Sequence, residues 1–353
     1  MSERPRALGA EVPERLAALT RLRGLLIGWV VVYHLELALH GLGRVPVLGN
    51  VVMKGYLGVD GFFLLSGFAL FLGYHRRPPL GTEGWRGFVR RRAARIFPLH
   101  LAALALLLAI VVAAAAAGVS IRNPERFGAW EFVMQAMLAN AWETTRIHAW
   151  NYPSWALSAT WAGYLLFPAI LPLVLWRRPA GAWAIAAACV VLLTWLGAEE
   201  AVQLNLTLHL GLLRFGLEFV LGMALARLVT LREMPGLAAA AAALLLPLGL
   251  ALRLDAMAVA GLAGIIALLG KLPPASAPPR DLLWRLGEAS FGVYLCWVFV
   301  EGGLVLLQRA ADPGPVLRVA LMLGGLVATL ALGWLAWRLV EVPAARRLAR
   351  LMP

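Results

Sequence analysis

Cysteine is nearly missing from this chain: only Cys189 and Cys296 occur in 353 residues. They lie far apart inside apolar stretches, with no CxxC pair and no zinc-type spacing. That excludes a disulfide framework and leaves no predicted metal ligands. Charge is scarce as well. Asp, Glu, Lys and Arg make up 14% of the residues, against about 25% in ordinary soluble domains. With 61% hydrophobic residues and a mean hydropathy of +0.78, so few charges cannot cover the surface of a soluble fold. Lysine is reduced to Lys54 and Lys271, so the basic residues are almost all arginine; with the many alanines this points to a GC-rich bacterial genome. The net charge of +13 does not indicate a nucleic-acid partner, because the arginines fall in short clusters between apolar runs, as membrane-flanking anchors do.

Those apolar runs lie at about 22–41, 56–74, 96–118, 155–176, 181–197, 206–229, 236–252, 256–270, 287–308 and 316–338. A helix needs about 20 residues to cross a bilayer, and several runs are shorter, 256–270 most of all. The sequence therefore predicts an all-α, polytopic transmembrane bundle of about ten spans. The first run has no small-residue cleavage site behind it and is expected to stay as an uncleaved helix. The arginine bias of alternate loops puts both termini in the cytoplasm. This divides the chain into a cytoplasmic arm, 1–21, with a short interfacial helix near 13–21, a membrane domain, 22–340, and a cytoplasmic tail, 341–353. No internal repeat or low-complexity tract is present. The segment 75–97 reads as a cytoplasmic loop with seven arginines, and 119–154 as an external loop holding an amphipathic segment, EFVMQAMLANAW.

Within the first run, RGLLIGWVVVYH carries Arg23 and, eleven residues later, His34. At about 1.5 Å per residue the imidazole sits about 16 Å above the guanidinium, near the middle of the bilayer. An ionisable group there is a candidate functional site. A neutral imidazole, pKa about 6.5 when unperturbed, can take a proton from a hydroxyl. The alternative is an interior histidine bonded to a neighbouring helix. For Arg23 the alternatives are a ligand for phosphate or carbonyl and a snorkelling anchor. Arg90, Arg91 and Arg95, beside Arg86 and Arg92, form a basic run suited to the bidentate binding of phosphates, or a topology signal. Asp60 can pair with a cation, hold a second substrate, or sit near a helix N-terminus. Ser66 lacks a nucleophile elbow, and with Gly67 it reads as helix packing. Arg214 and Glu218, four residues apart, are expected to neutralise one another.

Three stretches in order carry a family resemblance: RLRGLLIGWVVVYH, GYLGVDGFFLLSGFAL and FVRRRAARIFPLH. The chain resembles the bacterial family-three membrane acyltransferases, the group that includes O-antigen and peptidoglycan O-acetylases. The match preserves the spacing of Arg23 and His34, the elements at Gly58, Val59, Asp60, Leu65, Ser66 and Gly67, and the basic run ending in Pro98. Weaker echoes lie at 155–168, 214–228, 286–295 and 341–346. The resemblance implies an integral protein of the bacterial inner membrane that moves an acetyl or similar acyl group. The donor would be cytoplasmic acyl-CoA, a co-substrate beside no permanently bound cofactor. The acceptor would be a hydroxyl of a cell-envelope glycan or a lipid-linked molecule, with membrane lipids as further partners. It implies His34 and Arg23 as catalytic, and Arg90, Arg91 and Arg95 as ligands for the coenzyme A phosphates.

The sequence departs from the family at two places. Thr160 stands where a glutamate usually assists the histidine, and a threonine hydroxyl can only relay or hydrogen-bond. Trp297 stands where a second histidine is common. Glu301, one turn beyond Trp297, is the expected substitute carboxylate, since Glu36 points about 160° away from His34. These departures also allow a family member without transfer activity, one that exports or binds a glycan or lipid.

Overall fold

The computed structural model describes residues 17–43, 45–119, 123–176, 178–272, 281–311 and 313–351. Among these there is no strand. In chain order the helices are α1 (Ala17–Leu39), α2 (Leu48–Met53), α3 (Leu57–Tyr74), α4 (Gly81–Ala116), α5 (Ala129–Ala136), α6 (Ser154–Trp176) and α7 (Pro179–Glu199). They continue as α8 (Gly211–Thr230), α9 (Gly236–Ala243), α10 (Leu245–Leu252), α11 (Asp255–Gly270), α12 (Leu282–Ala311), α13 (Pro315–Ala336) and α14 (Val342–Leu351).

Every apolar run of the sequence is helical. Seven helices are long and apolar enough to cross a membrane: α1, α3, α4, α6, α7, α12, and α13 continued into α14. The 20-residue α8 has the length but carries Arg214, Glu218 and Arg227. The α9–α10 pair and α11 are shorter apolar helices. The run 236–252 divides at Leu244. Pro247 explains the break, because its ring collides with the carbonyl four residues back, at Ala243, and it donates no hydrogen bond.

Three boundaries differ from the sequence reading. Residues 1–16 lie outside the described residues, and the last part of the expected arm, Ala17 to Arg21, already forms the start of α1. The expected loop 75–97 is helical from Gly81 onward, so Arg86 to Arg95 form a helical stripe on α4. The expected helix end at Glu341 is a wide turn, Trp337–Glu341, that joins α13 to α14. Pro343 imposes that widening by removing the backbone bond to Leu339.

Close helix crossings organise the bundle around α1 and α3. At the α3–α8 crossing a Cβ on Gly67 would overlap the Phe219 carbonyl, and one on Gly222 would overlap the Leu64 carbonyl. Gly24 and Gly287 serve the α1–α12 crossing in the same way. Small residues let backbones approach where lipid supplies no hydrophobic drive. Ser66, one residue from the α3 crossing, donates its hydroxyl to the Phe62 carbonyl at 2.8 Å. Gly67 thus serves a helix crossing, while the Ser66 hydroxyl is bonded within its own helix.

Gly67→Val is expected to push α3 from α8 and cost about 1–3 kcal/mol or more. The readout is a lower thermal midpoint of the detergent-solubilised protein. Gly73→Ala, whose added methyl meets open space, is expected to leave the midpoint unchanged or raise it.

Candidate functional site around His34

His34 lies in the last third of α1, five residues from its end at Leu39. Its ring stacks on Trp297 of α12, with centroids 3.7 Å apart and planes 20° from parallel. The edges of Tyr33 and Tyr152 approach it at 4.9 and 6.2 Å. The imidazole borders an internal cavity of about 180 Å³ rather than the outer surface of the bundle. Nδ1 is buried and has no hydrogen-bond partner among the described residues. No carboxylate fixes the tautomer; the stack on Trp297 holds the ring plane instead. Trp297, expected only as a missing histidine, is thus a wall of the site.

The cavity gathers groups from five parts of the chain. Tyr33 accompanies His34 on α1, Tyr56 precedes α3, and Tyr294 comes from α12. Asn205 and Thr207 come from the segment before α8, and His148 from the segment before α6. Asn205 donates to the Tyr33 hydroxyl at 3.4 Å. The Tyr56 hydroxyl donates to Asp255 at 2.7 Å, and Lys54 pairs with the other oxygen of Asp255 at 2.5 Å. The Arg214 guanidinium reaches the cavity beside Trp155, 5.7 Å above that ring.

His148 has no counterpart in the sequence reading. Its Nε2 lies 3.1 Å from the Thr207 hydroxyl, and its Nδ1 is buried without a partner among the described residues. Burial, and then the nearby Arg126 guanidinium, hold this imidazole below its ordinary pKa and favour the neutral ring. The only signal in the sequence is a histidine set among aromatic and polar residues, HAWNYPSW, directly before an expected span.

Arg23 does not reach the cavity. It sits on α1 about 16 Å of helix rise from His34, and it donates to the Ser290 hydroxyl at 2.8 Å. Arg95, Glu288, Glu341 and Tyr164 surround it electrostatically. Glu341, read from the sequence as part of a helix end, is thus a buried member of this second polar centre. Arg90, Arg91 and Arg95 are exposed on α4. Arg92 instead lies over the rings of Tyr74, Phe88 and Tyr164 and donates to the Tyr74 hydroxyl at 3.2 Å. The basic stripe therefore contains one arginine anchored on aromatic rings and four, Arg86 among them, presented outward. Arg95 connects it to Arg23.

Asp60, Thr160, Glu301 and Glu36 do not line the cavity. Asp60 is fully buried and accepts two hydrogen bonds from Arg214, one of them at 3.0 Å from Nε, so it pairs with a cation. Arg214 in turn bonds Asp60 and also pairs with Glu218, 3.7 Å from Nε, the partner four residues on that the sequence led us to expect; Asp60 is the second carboxylate the spacing did not show. Thr160 donates to the Ala156 carbonyl of its own helix at 2.8 Å and does not line the cavity. Glu301 accepts from the Tyr152 hydroxyl at 2.9 Å, so the substitute carboxylate meets His34 only through the Tyr152 ring. Glu36 accepts the amides of Leu42 and Gly43 and closes the end of α1. Among the described residues, no three His, Cys, Asp or Glu side chains converge as metal ligands.

A family description, "Acyltransferase domain", matches residues 16–338. Among curated proteins, the chain is similar to one named acyltransferase MdmB, from Streptomyces mycarofaciens. The two are 31% identical over 311 residues, covering 75% of this chain and 76% of that relative. No solved structure matches.

Proposed function

The chain belongs to the acyltransferase family whose domain spans residues 16–338, and from that premise we propose a membrane O-acyltransferase fed by acyl-CoA. The acyl-transferring character and the membrane setting follow from family and helices together. The donor, the acceptor and the residue roles are our own reading. The observation that carries it is the His34 imidazole, without a hydrogen bond among the described residues and set against a cavity inside the bundle.

In this reading the coenzyme moiety binds at the basic end of α1 and α4. Arg90, Arg91 and Arg95 engage its phosphates, and Arg23 stands at the entrance. The thioester reaches inward toward His34. The acceptor, a hydroxyl of an envelope glycan or a lipid-linked molecule, enters the cavity from the opposite end. As its oxygen attacks the thioester carbonyl carbon, His34 takes the hydroxyl proton. The C–O bond forms, the C–S bond breaks, and the proton passes to the departing thiolate. Burial suits this chemistry because water would otherwise compete for the acyl group. The polar centre around Arg23 and the cavity around His34 then serve donor and acceptor at two depths of one bundle.

We further propose that α8, the α9–α10 pair and α11 also cross, giving ten spans. Both termini would lie on the cytoplasmic face of a bacterial inner membrane, which agrees with the arginine distribution of the sequence. The reading is tested by mass spectrometry of envelope glycans and lipids from cells with and without the intact gene. A component gaining an acetyl or succinyl mass only with the gene supports it. Identical envelopes, together with no label passed from acyl-CoA in membranes, overturn it.

The departure at Thr160 has its own test. Because its hydroxyl is tied to Ala156 and the residue lies off the cavity, Thr160→Glu is expected to give no gain in acyl transfer. The measurement is radiolabel passed from acyl-CoA to envelope material in membrane vesicles. A rise in rate would put position 160 within reach of the reacting groups.

A further inference from the structure

The segment carrying His148 is clamped. Arg126 donates to the His148 carbonyl at 2.7 Å, Trp150 donates its indole N–H to the Gly128 carbonyl at 2.9 Å, and Gln135 donates to the Ala149 carbonyl. Asn151 reaches across to the Leu295 carbonyl of α12 at 3.2 Å. Trp150, between them, holds a left-handed φ of 44°. Non-glycine residues take that conformation at a cost, and it persists only where the surroundings impose it. All these bonds pass through neighbours or through the backbone of His148. Its side chain is left to the cavity, where Nε2 meets the Thr207 hydroxyl and the ring lies edge to face with Tyr152, centroids 6.0 Å apart.

Three polar atoms around this cavity are buried without a partner among the described residues: His34 Nδ1, His148 Nδ1 and Trp297 Nε1. Buried polar groups are nearly always bonded, so a cluster of three beside one cavity calls for an external hydrogen-bonding partner. The walls set its class. Flat rings at Tyr152, Trp155 and Trp297 suit the C–H faces of a saturated ring, while Asn205 and Thr207 offer hydrogen bonds at the rim. A volume of about 180 Å³ equals roughly six waters of liquid. That accommodates a single hydroxylated ring.

Resting on the acyl-transfer reading above, we infer that His148 is a second substrate-touching residue of the site. It holds a hydroxyl of the acceptor ring at Nδ1 while the Thr207 hydroxyl fixes Nε2. A neutral imidazole offers one donor and one acceptor, and a threonine hydroxyl can complement either nitrogen. The His148–Thr207 pair therefore adapts to a hydroxyl that gives or receives. His34 acts on the hydroxyl that is acylated, and His148 binds its neighbour on the same ring. The entry lies at the end of the bundle where the 148–153 segment and the 205–207 segment meet. The donor approaches from the Arg23 end.

The test uses the full chain in membrane vesicles with radiolabelled acetyl-CoA, titrated with envelope extract from the source cells. His148→Ala is expected to raise the half-saturating amount of extract about tenfold, the scale of one lost hydrogen bond. The half-saturating acetyl-CoA concentration stays unchanged. Thr207→Val, which keeps the imidazole and removes its support, shifts the extract requirement in the same direction by less. His148→Gln restores part of the loss. The backbone clamp does not use the imidazole, so these variants keep the segment in place. Unchanged extract saturation in a folded His148→Ala protein overturns the inference. So does a shift in acetyl-CoA saturation instead. Transfer that survives His34→Ala would instead reject the role of His34, a result independent of the His148 titrations.

Discussion

His34→Ala is expected to lower acyl transfer by about 10²–10⁴-fold, the range that positioned general bases supply. The readout is radiolabel passed from acyl-CoA to envelope material in membrane vesicles. His34→Gln should fall nearly as far, because an amide can hydrogen-bond but cannot take a proton. Protein stability should change little in the glutamine variant, since His34 makes no hydrogen bond among the described residues and contributes mainly its stack on Trp297. Loss of rate with retained folding is what separates a reacting group from a packing group. In a satisfied interior histidine both nitrogens would be bonded and truncation would destabilise the bundle. A glutamine variant that transfers at the parental rate would return His34 to that bland role.

The helices were legible because each apolar run is a local property, and all ten apolar runs became helices. Gly67 was legible for a similar reason: a small residue inside an apolar run has few uses besides a close crossing. The basic stripe was legible in composition but not in shape. Its arginines are good helix formers, and nothing between Gly81 and Pro98 stops α4 from extending through them. The cavity was far less accessible. His34 stood out by spacing and resemblance, but its companions come from segments as distant as Tyr56, His148, Thr207 and Trp297. None of these has a periodicity that reveals which face meets α1. The pairing of Asp60 with Arg214 spans 154 positions. Local spacing revealed the Glu218 partner, which does pair with Arg214, but not the more closely bonded Asp60. Helix faces can be read one turn at a time; which faces meet depends on the whole bundle.

That same pairing gives the largest stability effect expected in the molecule. Arg214→Gln leaves the Asp60 carboxylate fully buried without its guanidinium, and breaking one side of a buried pair costs about 3–5 kcal/mol. For a membrane helix this should appear as loss of folded protein from the detergent-soluble fraction and a lower thermal midpoint. Removing the partner as well should reverse much of the damage. The Asp60→Asn, Arg214→Gln double variant no longer leaves Asp60 as a buried charge without its partner, so its midpoint should lie above that of Arg214→Gln alone. Glu218→Gln should cost less than Arg214→Gln, because Glu218 stands 3.7 Å from the guanidinium and makes no hydrogen bond among the described residues. The order of the three midpoints discriminates between the arrangements. If Glu218 were the principal partner, Glu218→Gln rather than Asp60→Asn would rescue Arg214→Gln. The Asp60 pair also fixes Arg214 against Trp155 and the Leu206 carbonyl at the edge of the cavity, within a few residues of Asn205 and Thr207. A double variant that folds but has lost that brace should therefore bind acceptor less well while leaving acyl-CoA saturation intact, tying the buried ion pair to the shape of the acceptor end.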